Sequence, residues 1–73
     1  MTVQTARRVA AALEGLSKLH PQWRLGQLVA NVASWAKGPT SEAVWDVTDE
    51  EFLEAAEAYL SRNAKDVLQQ AKS

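Results

Sequence analysis

The two prolines of the chain, Pro21 and Pro39, restrict its fold most, because proline fits the first turn of an α-helix but not its interior. They divide the 73 residues into three segments. In each segment apolar side chains recur at the three- and four-residue spacing of one helical face. Pro39 follows Gly38, and a glycine followed by a proline is a strong signal for the end of a helix. The sequence therefore predicts an all-α fold.

The first predicted helix covers residues 3–19 and the second covers residues 21–37. Their apolar faces are Ala6, Val9, Ala10, Leu13 and Leu16 in the first helix, and Leu25, Leu28, Val29, Val32, Ala33 and Ala36 in the second. Each helix also contains a glycine, Gly15 or Gly26, where the missing side chain would let another helix approach closely. Residues 38–47 are predicted to form a loop with a short extended stretch.

The third predicted helix covers residues 49–71. Thr48 and Glu51 have the spacing of a capping box, in which the side chain of each residue bonds the backbone N–H of the other. A helix of about 23 residues is roughly 34 Å long, which is more than the second helix can cover. Its last turns, with Val67 and Leu68, therefore need another surface, which a second copy of the chain could supply. We predict one domain over residues 1–73, a small three-helix bundle with a long third helix, with dimerisation as one way to complete it.

Several classes of site are excluded by composition. The chain has no cysteine and one histidine, so it offers neither a disulfide framework nor a zinc site built from thiolates or from several imidazoles. His20 lies beside Pro21 at a helix end, and no nucleophile–base arrangement or phosphate-binding glycine loop is present. We therefore expect no enzyme, no cofactor and no metal. No apolar run approaches the ~20 residues of a membrane span, so we expect a cytoplasmic protein without membrane contact.

Charge is distributed unevenly along the chain. Residues 1–37 carry five basic and one acidic side chains, a net +4, whereas residues 38–73 carry three basic and eight acidic ones, a net −5. Such asymmetry can orient helices within one chain or chains within an oligomer. We favour the interpretation that the two halves neutralise each other within the fold.

A polar stripe on the second predicted helix has two interpretations. The stripe is Arg24, Gln27, Asn31 and Ser34. If it is structural, Arg24 pairs with Asp46 or Asp49, and Gln27 or Asn31 bonds the backbone of the following loop. If it binds nucleic acid, arginine contacts guanine edges and the two amides contact adenine edges from the major groove. The near-zero net charge and the lack of a basic arm favour the structural interpretation.

The three tryptophans, Trp23, Trp35 and Trp45, are many for so short a chain. Tryptophan fills the core of small domains, and it is also enriched among the residues that dominate binding energy at protein interfaces. Trp35 borders the polar stripe, so a partly exposed indole there would form a patch for a partner.

The run from His20 to Leu28, together with Asn31, Trp45-Asp46 and the Asp-Glu-Glu at 49–51, resembles a group of short, uncharacterised bacterial helical proteins. Their shared pattern is WR-x-GQL-x-x-N followed by WD-x-x-DEE, and the resemblance covers residues 20–60. It implies a common compact helical fold and brings no activity, cofactor or catalytic residue with it. It also implies that Arg24, Gln27, Asn31 and Asp46 act together, as an Arg–Asp clasp that holds the loop against the second helix.

The function that we expect is therefore a small protein-interaction or adaptor module that associates with itself. One alternative is a nucleic-acid-binding regulator that uses the second helix, although the charge argues against a nucleic-acid partner. Another is a small inhibitor or sequestering protein, which the sequence does not separate from the first. The candidate interaction or clasp residues are Trp23, Arg24, Gln27, Asn31, Trp35, Trp45, Asp46 and Asp49.

Overall fold

In a computed structural model, the backbone of residues 1–72 and the side chains of residues 1–63 are described. The helices of this part are α1 Val3–Leu19, α2 Leu25–Lys37, α3 Ala43–Asp46 and α4 Asp49–Lys72. The predicted all-α bundle with a long last helix is thus confirmed, with one additional short helix in the predicted loop. In the described part of the chain, no helix is both long and apolar enough to cross a membrane.

Helix α1 has the predicted bounds, and its N-terminus is capped by Thr2, whose hydroxyl accepts a hydrogen bond from the backbone N–H of Thr5 at 3.1 Å. Its buried side chains are Ala12 and Leu16. Ala6 and Ala10, which the sequence placed on the apolar face, are exposed. Alanine is a strong helix former that loses little on an exposed face, so its position says less about the core than a leucine does.

Helix α2 begins at Leu25, four residues after the predicted start at Pro21. Pro21 and Gln22 instead form the centre of a tight turn, closed by the backbone N–H of Trp23, which donates to the carbonyl of His20 at 3.0 Å. Proline suits the second position of such a turn because its ring fixes the backbone angle φ near the required value. At the other end, Gly38 caps the helix with a φ of 106°, as the glycine–proline signal predicts.

The loop after α2 contains the four-residue helix α3 rather than the predicted extended stretch. The backbone N–H groups of Trp45 and Asp46 both donate to the carbonyl of Glu42 at 3.0 Å. Ala43 is buried, whereas Val44 and Trp45 are exposed. Val44 and Val47 are three residues apart, a spacing that suits a helical turn, so the predicted extended stretch was wrong.

Helix α4 has the predicted capping box at its start. Glu51 donates from its backbone N–H to the Thr48 hydroxyl at 3.1 Å, and Thr48 donates from its own N–H to the Glu51 carboxylate at 2.9 Å. The helix continues without a break through the Ser-Arg-Asn at 61–63. There the side-chain amide of Asn63 donates to the carbonyl of Tyr59 at 2.8 Å. The side chains of Val67 and Leu68 lie outside the described residues.

The core lies where α1, α2 and α4 meet. Its buried cluster consists of Ala12, Leu16, Leu28, Val32, Phe52 and Ala56. Gly15 allows the close approach predicted for it, because a Cβ atom at this position would lie 3.1 Å from Cδ2 of Leu60 on α4. Gly26 has no atom within 4 Å of such a Cβ, so the close contact predicted there is not formed.

Among the side chains of residues 1–63, two ion pairs join the basic first half of the chain to the acidic second half. Arg8 on α1 pairs with Glu57 on α4 at 2.8 Å, and Lys37 at the end of α2 pairs with Glu51 at 3.2 Å. Exposed pairs of this kind contribute only about 0 to 1 kcal/mol each. They support the interpretation that the two halves neutralise each other within one fold.

Candidate interaction surface

Four side chains from three separate parts of the chain form an aromatic cluster: His20, Trp23, Trp35 and Tyr59. The His20 imidazole stacks on the Trp23 indole with ring centres 3.8 Å apart and planes 12° from parallel. Trp35 stacks on Tyr59 at 4.2 Å and 17°. The ring of contacts is closed by the Trp23–Trp35 pair at 6.3 Å and by a hydrogen bond of 2.7 Å between His20 Nε2 and the Tyr59 hydroxyl.

The aromatic cluster ties the end of α1 and the following turn to α2 and α4. Aromatic pairs contribute about 0.5 to 1.5 kcal/mol beyond the area they bury. His20, Trp23 and Tyr59 are half-buried, so their main role is to hold the helices together. Trp35 is 41% exposed, with Tyr59 covering one face of its indole. It is therefore the member of the cluster that reaches the surface.

A shallow groove of about 400 Å³ runs beside Trp35 between α2 and α4. This α2–α4 groove is lined by Trp35, Ala36, Glu51, Glu54, Ala55, Ala58 and Arg62. Its floor is made of alanines. Its charged residues, Glu51, Glu54 and Arg62, lie at successive positions along α4. Two hydrogen bonds lower the pKa of Glu51. The larger effect comes from the backbone N–H of Thr48 and the next from the Lys37 side chain. Glu51 is thus a carboxylate that already has partners within its own chain.

A second, more apolar groove of about 260 Å³ lies where α1 and α2 meet the start of α4. This apolar groove is lined by Met1, Val9, Leu13, Val29, Val44, Val47, Thr48, Asp49 and Phe52. Trp45, the residue after Val44, is 87% exposed and is the most exposed large apolar side chain of the described part. The exposed indole of Trp45 thus directly follows, in sequence, a residue that lines the apolar groove.

The polar stripe does not form the predicted clasp. Arg24 and Gln27 are exposed and Asn31 is half-buried. Among the side chains of residues 1–63, the ion pairs join Arg8 to Glu57, Lys18 to Glu14 and Lys37 to Glu51. Arg24 is in none of these pairs, so the pairing with Asp46 or Asp49 is not formed there.

The clasp is not formed because of where Arg24 and its predicted partners lie. Arg24 lies at the N-cap of α2, before the helix begins, and its side chain makes no capping bond. Asp46 is exposed at the end of α3, and Asp49 lies on the rim of the apolar groove. Within residues 1–63, neither Gln27 nor Asn31 makes a side-chain hydrogen bond to the loop that follows α2.

Two members of the aromatic cluster, His20 and Tyr59, were not recognised as site residues from the sequence. The sequence predicts His20 to be a helix end, and it is the C-cap of α1. Tyr59 lies within the last helix, where nothing local in the sequence distinguishes it from other apolar positions. The only sequence signal for their association is that His20 lies three residues before Trp23. The alanines that form the floor of the α2–α4 groove were also missed, because alanine in a helix is unremarkable by itself.

In the described part of the chain no three histidine or acidic side chains converge as metal ligands would. The resemblance to short bacterial helical proteins stays a prediction, since no protein-family model, no curated protein and no solved structure matches this chain.

Proposed function

We propose that this protein is a small helical module that binds other proteins. The observation that carries the proposal is that Trp45, one of the three tryptophans of the chain, has 87% of its surface exposed. Tryptophan is highly buried on average, so an indole in solvent costs hydration free energy that the fold itself does not recover. Tryptophan is also the side chain most enriched among interface residues that dominate binding energy.

The backbone that carries Trp45 is held in place. Ala43 anchors helix α3 in the core with 2% of its surface exposed, and the N–H of Val47 donates to the Ala43 carbonyl at 3.0 Å. Val44 faces the apolar groove. An indole on a fixed turn loses little conformational freedom on binding, so more of its contact energy becomes affinity. The apolar groove that Val44 lines would receive an apolar side chain of the same partner.

Replacement of Trp45 by serine tests this proposal. Wild-type protein, Trp45→Ser and a control, Leu25→Ser, are used as baits in lysate of the native cells, and the captured proteins are quantified by mass spectrometry. Leu25 is 67% exposed on α2, so the control removes a comparable apolar side chain from another surface. We expect at least one protein that wild type and Leu25→Ser retain equally and Trp45→Ser loses at least tenfold. Equal capture by Trp45→Ser, with its circular dichroism unchanged, would contradict the proposal.

A second candidate, nucleic-acid binding through α2, is favoured by one observation. Arg24 and Gln27 are exposed at the start of α2, and their side chains have no partner among residues 1–63. Side chains that contact base edges must be accessible in this way. Fluorescence anisotropy with labelled duplex DNA tests it. If α2 binds DNA, the affinity falls at least tenfold between about 50 and 200 mM salt, and Arg24→Ala weakens it. No binding at the lower salt concentration excludes this candidate.

A further inference from the structure

We propose that the α2–α4 groove is the surface on which two copies of this chain associate, with their α4 helices packed antiparallel. The inference rests on the proposed function, because it names one partner of the interaction module, a second copy. It concerns a different surface from the Trp45 face. The two surfaces can therefore be tested separately.

Between residues 54 and 62, the charge pattern of α4 is complementary to itself in an antiparallel pair. Glu54, Ala58 and Arg62 follow one another at intervals of four residues, which places them on one face of the helix, and all three are exposed. When two identical helices pack antiparallel about a two-fold axis at Ala58, each residue before position 58 faces the equally distant residue after it. Glu54 of one copy then faces Arg62 of the second copy, and the same pair forms again on the other side of the axis. An interface between two copies related by a two-fold axis requires this kind of self-complementarity.

The floor of the groove permits two helices to approach closely. Ala55 and Ala58 on α4, with Ala36 on α2, project only a methyl group into it. Packed helices have axes about 8 to 10 Å apart, and the shorter separations need small side chains at the contact. Trp35 forms the wall beside this floor, with 41% of its surface exposed, and contributes the large apolar area that the alanines lack. A partner helix seated on the alanines would cover it.

The two charged residues of this pattern are not used by the described fold. Among the side chains of residues 1–63, Glu51 pairs with Lys37 and Glu57 pairs with Arg8, whereas neither Glu54 nor Arg62 is in an ion pair. In a parallel pair, the Glu54 side chains of the two copies would lie beside each other, and so would the two Arg62 side chains. Like charges across an interface disfavour that arrangement. The pattern therefore favours a second copy in antiparallel orientation over an unrelated partner, which would match it only by coincidence.

Charge reversal tests both the surface and the pairing. Glu54→Arg and Arg62→Glu each place two pairs of like charges across the proposed interface. Sedimentation and light scattering over a range of protein concentrations should show the wild type as a dimer and each single variant with a dimer dissociation constant at least tenfold higher. An equimolar mixture of the two variants should recover a dimer, because one copy then carries two arginines at these positions and the other two glutamates. The double variant Glu54→Arg/Arg62→Glu should dimerise as well.

Controls separate a lost interface from a lost fold. Glu42→Arg makes the same change of charge at an exposed position before α3 and should leave the dimer intact. Ala58→Arg, which places two like charges at the axis, should give a monomer with the circular dichroism spectrum of the wild type. A wild-type dimer that tolerates both single reversals, or a mixture that fails to associate, would overturn the inference. A wild type that stays monomeric at millimolar concentration would overturn it too, while Trp45-dependent capture would still support the proposed function.

Discussion

Replacing Leu16 with alanine is expected to lower the free energy of unfolding of this protein by about 3 kcal/mol. Leu16 has 0% of its surface exposed and lies in the buried cluster where the helices meet. The change removes apolar contacts and leaves a cavity that the surrounding helices fill only in part. At about 0.05 to 0.15 kcal/mol per residue, a chain of this length has a total stability of roughly 4 to 11 kcal/mol. Leu16→Ala therefore removes a large fraction of it.

Leu25→Ala is the matched control, because it makes the same chemical change where the side chain is 67% exposed. Its free energy of unfolding should differ from that of wild type by less than about 0.5 kcal/mol. Urea titrations followed by circular dichroism at one fixed protein concentration measure both, since self-association would make stability depend on concentration. Similar losses in the two variants would show that the core is not where the structure places it.

The contrast between Leu16 and Leu25 shows what helical periodicity can and cannot predict. Both leucines lie on predicted apolar faces, and the spacing of apolar residues assigns them equal weight. Leu25 is the first residue of α2, and 67% of its surface is left exposed there. Periodicity identifies the face of a helix, but it contains no information about how much of that face another helix covers.

Features that depend on neighbouring residues could be predicted from the sequence. The capping box of Thr48 and Glu51 and the helix end at Gly38 follow from local backbone chemistry, and both are found. The predicted start of α2 at Pro21 was wrong, because proline suits a tight turn as well as the first turn of a helix. Local sequence allowed both conformations, and the hydrogen bond from Trp23 to His20 belongs to the turn.

The candidate surface could be predicted only in part. Trp35 and Trp45 were singled out from the sequence, and both are exposed. The aromatic cluster around Trp35 was not predicted. Its His20–Tyr59 hydrogen bond joins residues 39 positions apart and depends on how α1 and α4 cross. The Arg24–Asp46 clasp was wrong for the same reason: opposite charges predict that two residues can pair, but the packing of the helices decides whether they meet.

Replacing Gly15 with leucine is expected to lower the free energy of unfolding by about 2 kcal/mol, although leucine favours the helical state more than glycine does. A Cβ atom at position 15 would lie 3.1 and 3.3 Å from the two terminal methyl carbons of Leu60. The rest of a leucine side chain would require α1 and α4 to separate. Gly26→Leu makes the same change where a Cβ has no neighbour within 4 Å, so it should be neutral or stabilise the fold by up to about 0.5 kcal/mol.

A double-mutant cycle identifies the contact that makes these two glycines differ. Leu60→Ala alone should destabilise the fold, because it removes a side chain that packs against the core. In the Gly15→Leu background it should cost at least about 1 kcal/mol less, since the alanine makes room for the new side chain. Additive effects would mean that the cost at position 15 arises elsewhere than at Leu60. A strong coupling would show that one missing side chain on α1 sets the distance to α4, and with it the position of the neighbouring Tyr59 in the aromatic cluster.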